Sequence, residues 1–223
     1  MISAVDEALR ALVRRDALPD PGLEVVLDAP TRDWAARRNA PTVDLYLYDV
    51  REDLRRRHRG LVNELDGAGR VVARSLPPRH FRLSYLATAW TQRPEDEHRL
   101  LSALLGCFLR HDALPDDLLP GSLRRLGPVG LTVGLPPPED RAFADVWSAL
   151  GGELKPSLDV VAVVPTDTGQ RYPADRPVTV PARLDLGGLA GSVPRESRGG
   201  RSPAPARPAG SGTVAGGGDR HAP

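Results

Sequence analysis

The segment Leu158 to Val164 is aliphatic at every position except Asp159, and such a run is what a strand covered on both faces requires. That demand points to a layered fold with a sheet at its centre. Two longer stretches supply neighbouring strands. Val43, Leu45 and Leu47 alternate with Asp44, Tyr46 and Tyr48, while Phe81, Leu83, Tyr85, Ala87 and Ala89 repeat at the same period of two, each marking a strand with at least one buried face. Leu23 to Asp28 reads as a short strand, and Gly127 to Leu135 as another carrying Val129, Leu131 and Val133. Leu61 to Arg74 holds Asp66-Gly67-Ala68-Gly69 between apolar stretches and reads as a hairpin. Val178 to Leu184 is expected as an edge strand, limited by Pro177 and Pro181.

Helical periodicity interrupts these strands. Ile2, Val5, Leu9, Leu12 and Val13 share one face of a helix over residues 3–16, with Ser3 as its expected cap and Pro19 and Pro21 beyond its end. Pro30 to Pro41 reads as a polar loop interrupted by Trp34. Pro94 opens a helix with Glu95, Asp96 and Glu97 in its first turn, and its apolar face is Leu100, Leu101, Leu104, Leu105, Phe108 and Leu109. Pro138-Glu139-Asp140 starts another, with Phe143, Val146, Trp147 and Leu150 on its face and Gly151-Gly152 at its stop. The expected class is α/β (α+β): a single mixed sheet flanked by about three helices.

Composition changes abruptly at residue 187. From there to residue 223 the chain has 10 Gly, 5 Pro and 5 Arg in 37 residues, no aromatic, and only Leu189, Val193 and Val214 as larger aliphatics. Such a segment cannot bury enough apolar surface to offset chain entropy, so the expected division is a domain over 1–186 and a disordered tail over 187–223. A chain ending at Asp185 is therefore expected to keep the cooperative melting transition of the full chain. Loss of that transition would move the boundary.

Thirty basic residues against 29 acidic ones leave a formal charge of +1, which gives no global case for nucleic acid or an anionic membrane. The single Cys107 excludes an internal disulfide and any multi-cysteine metal framework, and fits a reducing, cytoplasmic setting. Acids at Asp6 and Glu7 stand where an export signal would be apolar, and the longest near-apolar run, Leu100 to Leu109, is about half of the ~20 residues a membrane span needs.

Chemistry-bearing patterns are scarce. The sequence has no GxxxxGK[ST], GxGxxG, HExxH or GxSxG signature and no acidic calcium loop. The five histidines are not spaced as metal ligands, and no catalytic, cofactor or metal residue is assigned. Cys107, among Leu104, Leu105 and Phe108, reads as a packing cysteine, and Trp90 and Trp147 read as core residues in the first place and as interface anchors in the second. What remains are partner-interface candidates. His98, in the first turns of its helix, suits a surface or inter-subunit contact. The run Arg51-Glu52-Asp53-Leu54-Arg55-Arg56-Arg57-His58-Arg59 offers five guanidinium groups, Arg51, Arg55, Arg56, Arg57 and Arg59. It reads either as a solvated connector or as a patch for an acidic protein surface, with nucleic acid as a weaker third possibility because no aromatic residue is interleaved.

Four segments, in order, carry a family resemblance. They are Ile2 through Leu12; Val43-Asp44-Leu45-Tyr46-Leu47-Tyr48-Asp49-Val50-Arg51-Glu52; Pro77 through Thr91 with Asp96-Glu97-His98-Arg99-Leu100-Leu101; and Trp147-Ser148-Ala149-Leu150-Gly151 with Lys155-Pro156-Ser157-Leu158. Over roughly residues 2 to 165 the chain resembles the cap, or tube–sheath terminator, family of contractile injection systems, which are phage-tail-like particles. The resemblance implies a tail-terminator-like fold and a non-enzymatic structural protein. It also implies a hexameric ring closing the distal end of tube and sheath, with itself, sheath and inner-tube proteins as partners. The competing classes are a nucleic-acid-binding or general adaptor acting through the arginine run and the tail, and an enzyme without a common signature, which a deep pocket lined by convergent carboxylates or His98 would favour.

Overall fold

The aliphatic run from Leu158 forms the strand Leu158–Thr166, buried at every position between its two ends. In the computed structural model, which describes residues 1–18, 22–135 and 143–174, that strand lies inside a mixed five-stranded sheet. The chain divides into two units, Met1–Arg176 and Pro177–Pro223, and every described residue belongs to the first. In chain order the elements are α1 (Ile2–Asp16), β1 (Glu24–Val26), α2 (Arg32–Ala36), β2 (Thr42–Glu52), β3 (Val62–Leu65), β4 (Val71–Ser75), β5 (Arg79–Trp90), α3 (Pro94–Leu109), α4 (Gly121–Arg124), β6 (Gly130–Val133), α5 (Phe143–Ala149), β7 (Leu158–Thr166) and β8 (Arg171–Pro173).

The large sheet runs β1-β2-β5-β7-β6. β1 pairs with β2 in parallel and every other pair is antiparallel. α1 and α3 cover one face. Val5, Leu9, Leu12 and Val13 of α1 and Leu104, Cys107 and Phe108 of α3 meet Val43, Leu45, Leu83, Tyr85, Val160 and Ala162 in one buried cluster. Each fully buried aliphatic side chain there contributes ~1.5–3 kcal/mol. Tyr85 donates its hydroxyl hydrogen to Asp6 Oδ1 at 2.7 Å, tying α1 to the centre of the sheet. Burial, and then the Asp6 carboxylate, hold its phenol above the ordinary value. The opposite face carries Thr42, Asp44, Ser84, Leu86 and Thr88, all buried, beneath the side chains of α2 and α5.

The mixed α/β class is as the sequence implied, with five helices among the described residues, two of them very short. Several details differ. The hairpin forms around Asp66, whose carboxylate accepts from the Ala68 and Arg70 amides, but β3 and β4 leave the main sheet. They join β8 in a second, three-stranded antiparallel sheet, because the partner of β4 comes from Arg171–Pro173, far along the chain. Ser3 is not the cap of α1: the helix starts at Ile2, and Met1 takes the cap position without a side-chain bond. The loop expected from Pro30 to Pro41 contains α2, capped by Thr31, whose hydroxyl accepts from the Trp34 amide at 3.2 Å. Leu109, expected on the core face of α3, is exposed although Cys107 and Phe108 of the same turn are buried, so it lies on the side of the helix turned away from the core. The edge strand expected from Val178 to Leu184, the helix start at Pro138, and the boundary at residues 186 and 187 lie outside the described residues.

Candidate assembly interface

β5 has twelve residues, and at ~3.3 Å per residue its two ends lie well over 30 Å apart. The interface candidates divide between them. The arginine run leaves β2 where Glu52 pairs with Phe81 near the start of β5, and the Asp53 amide donates to the His80 carbonyl at 2.7 Å. His98 follows the other end of β5, on the first turns of α3, and is exposed. The structure does not bring these candidates together. They belong to two separate ends of the domain.

At the arginine end, the connector is an ordered ledge built around a short 3-10 turn, Leu54–Arg56, whose cap Asp53 accepts from the Arg55 amide. Arg51 lies 3.2 Å from Asp49, Arg56 3.6 Å from Asp53, and Arg57 3.5 Å from Glu52, which also faces Arg79 at 3.6 Å. Each such half-exposed pair contributes ~0–1 kcal/mol, enough to orient the side chains and too little to hold the fold. Arg55 and Arg59 are exposed and make no ion pair among the described residues. Nearby His80 is held below its ordinary pKa by burial and then by the Arg56 charge.

At the other end, three tryptophans distant in sequence converge. Trp34 meets Trp90 edge-on with centroids 5.3 Å apart, and Trp90 meets Trp147 at 6.4 Å. Lys155 sets its ammonium 4.5 Å from the Trp90 ring and pairs with Glu97, whose carboxylate also accepts from the Thr91 amide. Arg38 stacks 4.4 Å over Trp34. Trp147 is buried as expected. Trp90 is only half-buried and, with Trp147, Thr31 and Lys155, lines an open cavity of about 540 Å³. Sequence reading missed this assembly. The available signal was a tryptophan in an apparent loop just after Thr31, a good helix cap.

Cys107 is fully buried and burial pushes its thiol up to about 11, so it packs and does not react. His111 Nε2 sits 2.8 Å from Asp16 Oδ2, fastening the end of α3 to the end of α1. Among the described residues, no group of three or more His, Cys, Asp or Glu side chains could hold a metal ion, and no helix is long and apolar enough to cross a membrane.

The Pvc16 N-terminal domain family matches the chain over residues 4–180. The chain belongs to that family. No curated protein matches it. Among solved structures, the sheath/tube terminator of the PVC extracellular contractile injection system, in its extended state, shares the fold with a TM-score of 0.60 at 23% identity, over 86% of this chain and 65% of that one. The tube-terminating cap of the anti-feeding prophage shares it with a TM-score of 0.56 at 20% identity, over 81% of this chain and 60% of that one. The Pvc16-type chain thus spans a little under two thirds of the length of either neighbour. The resemblance drawn from the four sequence segments is to the same group of cap proteins.

Proposed function

We propose that this protein is a non-enzymatic structural cap that terminates the tube and sheath of a phage-tail-like contractile injection system, assembling in the cytoplasm as a ring, most simply a hexamer. The observation that carries the proposal is that its fold and family are those of proteins named as terminators of such particles, over most of the chain's length. The layout of the domain is in keeping with it. A ring that closes by rotation needs two different surfaces on each copy, one to give and one to receive, and the interface candidates lie at two separated ends. In this reading Arg51, Arg55, Arg56, Arg57 and Arg59 face an acidic neighbour at one end, and His98 belongs to a contact at the other.

The adaptor reading has less support, because no aromatic residue is interleaved with the arginine run to stack on bases.

Deleting the gene from the producing cell is expected to leave tube and sheath proteins expressed but not assembled into uniform contractile particles. Electron micrographs of lysates would show this directly. Particles of normal length and yield would overturn the proposal, and salt-dependent binding of the purified protein to duplex DNA would favour the adaptor.

A further inference from the structure

Six of the eleven large hydrophobic side chains exposed among the described residues fall between residues 50 and 72: Val50, Leu54, Leu61, Val62, Leu65 and Val72. They sit at the end of β2, on the connector, on β3 and on β4. β3 is an edge strand of the small sheet, paired with β4 on one side and, among the described residues, with no strand on the other. Its sequence, Val62-Asn63-Glu64-Leu65, holds neither of the residues that commonly blunt an edge, lysine and proline. Its one charge, Glu64, is taken by Arg171 across the sheet. Half of the backbone N–H and C=O groups of such an edge point outward and can pair with another strand.

The charge around this edge has one sign. Every acid from Asp49 to Asp66 already faces an arginine: Asp49 with Arg51, Glu52 with Arg57, Asp53 with Arg56, Glu64 with Arg171 and Asp66 with Arg70. Arg55 and Arg59, on the segment leading into β3, and Arg74, on β4 opposite Asn63, are exposed and have no acidic partner among the described residues. Two arginines without an acidic partner thus stand on the chain that leads into an apolar strand whose outer edge is open among the described residues.

We propose that the outer edge of β3 receives an extended acidic segment of another protein, which adds a fourth strand to the small sheet. The carboxylates of the segment pair with Arg55 and Arg59, and its alternate apolar side chains cover Val62 and Leu65. Charge selects this occupant. A second copy of the chain would bring the same arginine surplus to the contact, whereas an acidic strand satisfies both the free guanidinium groups and the open ladder.

The test uses the purified full chain and a fluorescent peptide of about eight residues alternating Val and Glu, read by anisotropy. Binding is expected at low salt and should weaken as salt rises. It should fall roughly tenfold or more in an Arg55→Glu/Arg59→Glu variant, whose exposed substitutions leave the fold intact. A peptide N-methylated at alternate amides keeps its charge but cannot donate to the ladder, and it should not bind. The proposal is overturned if the acidic peptide fails to bind, if the N-methylated peptide or a Val–Lys peptide binds equally well, or if the β3 edge is instead consumed by a dimer that the acidic peptide does not dissociate. The assay reads isolated protein, so its result stands whether or not the chain terminates a particle.

Discussion

An Asp44→Asn variant should melt close to the native chain at pH 4 and well above it at pH 8. Asp44 lies on β2 opposite Thr88, is fully buried, and neither of its carboxylate oxygens has a hydrogen-bond partner. Burial, and then the nearby Asp28 charge, push its carboxyl up to about 8. Arg38, the cation that could answer it, is held by Asp28 at 2.7 Å and Glu24 at 2.9 Å. Between roughly pH 4 and 8 the native carboxyl keeps a proton that the unfolded chain releases, so raising the pH in that window favours unfolding. Below the window both states are protonated, and above it both are ionised, so the penalty stops growing. Asparagine keeps the shape and the polar cost but has no proton to lose. The stability difference should therefore widen with pH towards a ceiling on the order of 5 kcal/mol, set by the displacement of the carboxyl from its ordinary value. For a domain of this size that is an upward shift of roughly 10–20 °C in Tm at pH 8. Thermal unfolding of both proteins from pH 4 to 9 reads it. Parallel curves would mean that water or a local shift relieves the carboxyl.

The position of Asp44 also shows where sequence reading stops. An acid alternating with Val43 and Leu45 signals a strand correctly, yet period two gives only the two faces and not what covers the second one. Here that cover is Trp34, Trp90 and Trp147, brought together by a sheet whose strand order is not the chain order. α1, α3, β2, β5 and β7 were legible because each carries its own period or its own unbroken apolar run. α2, at five residues, is too short to show a period. β8 has three residues and carries no pattern that could direct it to β4.

The interface shows the same limit at the level of single charges. The arginine run is visible in the sequence as a block, but which of its members are free depends on partners from elsewhere. Glu52 is shared with Arg79 at the start of β5, and Glu64 is taken by Arg171 of β8. Once those pairs are made, Arg55 and Arg59 are the members without an ion pair among the described residues, on the segment that leads into β3. A block of five charges thus reduces to a small number of available ones, which matter because they border exposed apolar surface.

Trp147→Ala should be among the most destabilising single substitutions in the domain, while Trp147→Phe should cost far less. Trp147 is the largest fully buried side chain among the described residues and joins α5 to Trp90 on the second face of the sheet. The helix ends under it. Gly151 turns the chain at φ +68, and an added Cβ at Gly152 would lie 3.3 Å from Trp147 Cε3, so the backbone is folded directly against the indole. Truncation to alanine leaves a cavity that a helix of seven residues and two glycines cannot close, with an expected loss of ~3–5 kcal/mol. Phenylalanine retains most of the ring contact and removes the indole N–H, which is buried without a partner and itself costs ~1–3 kcal/mol. The two terms offset one another, so the Phe variant should lie within about 1.5 kcal/mol of the native chain. Urea unfolding of the three proteins gives both differences. An alanine variant that loses less than about 1 kcal/mol would show that α5 can leave the sheet with little consequence, and that the second face is held by Trp34 and Trp90 alone.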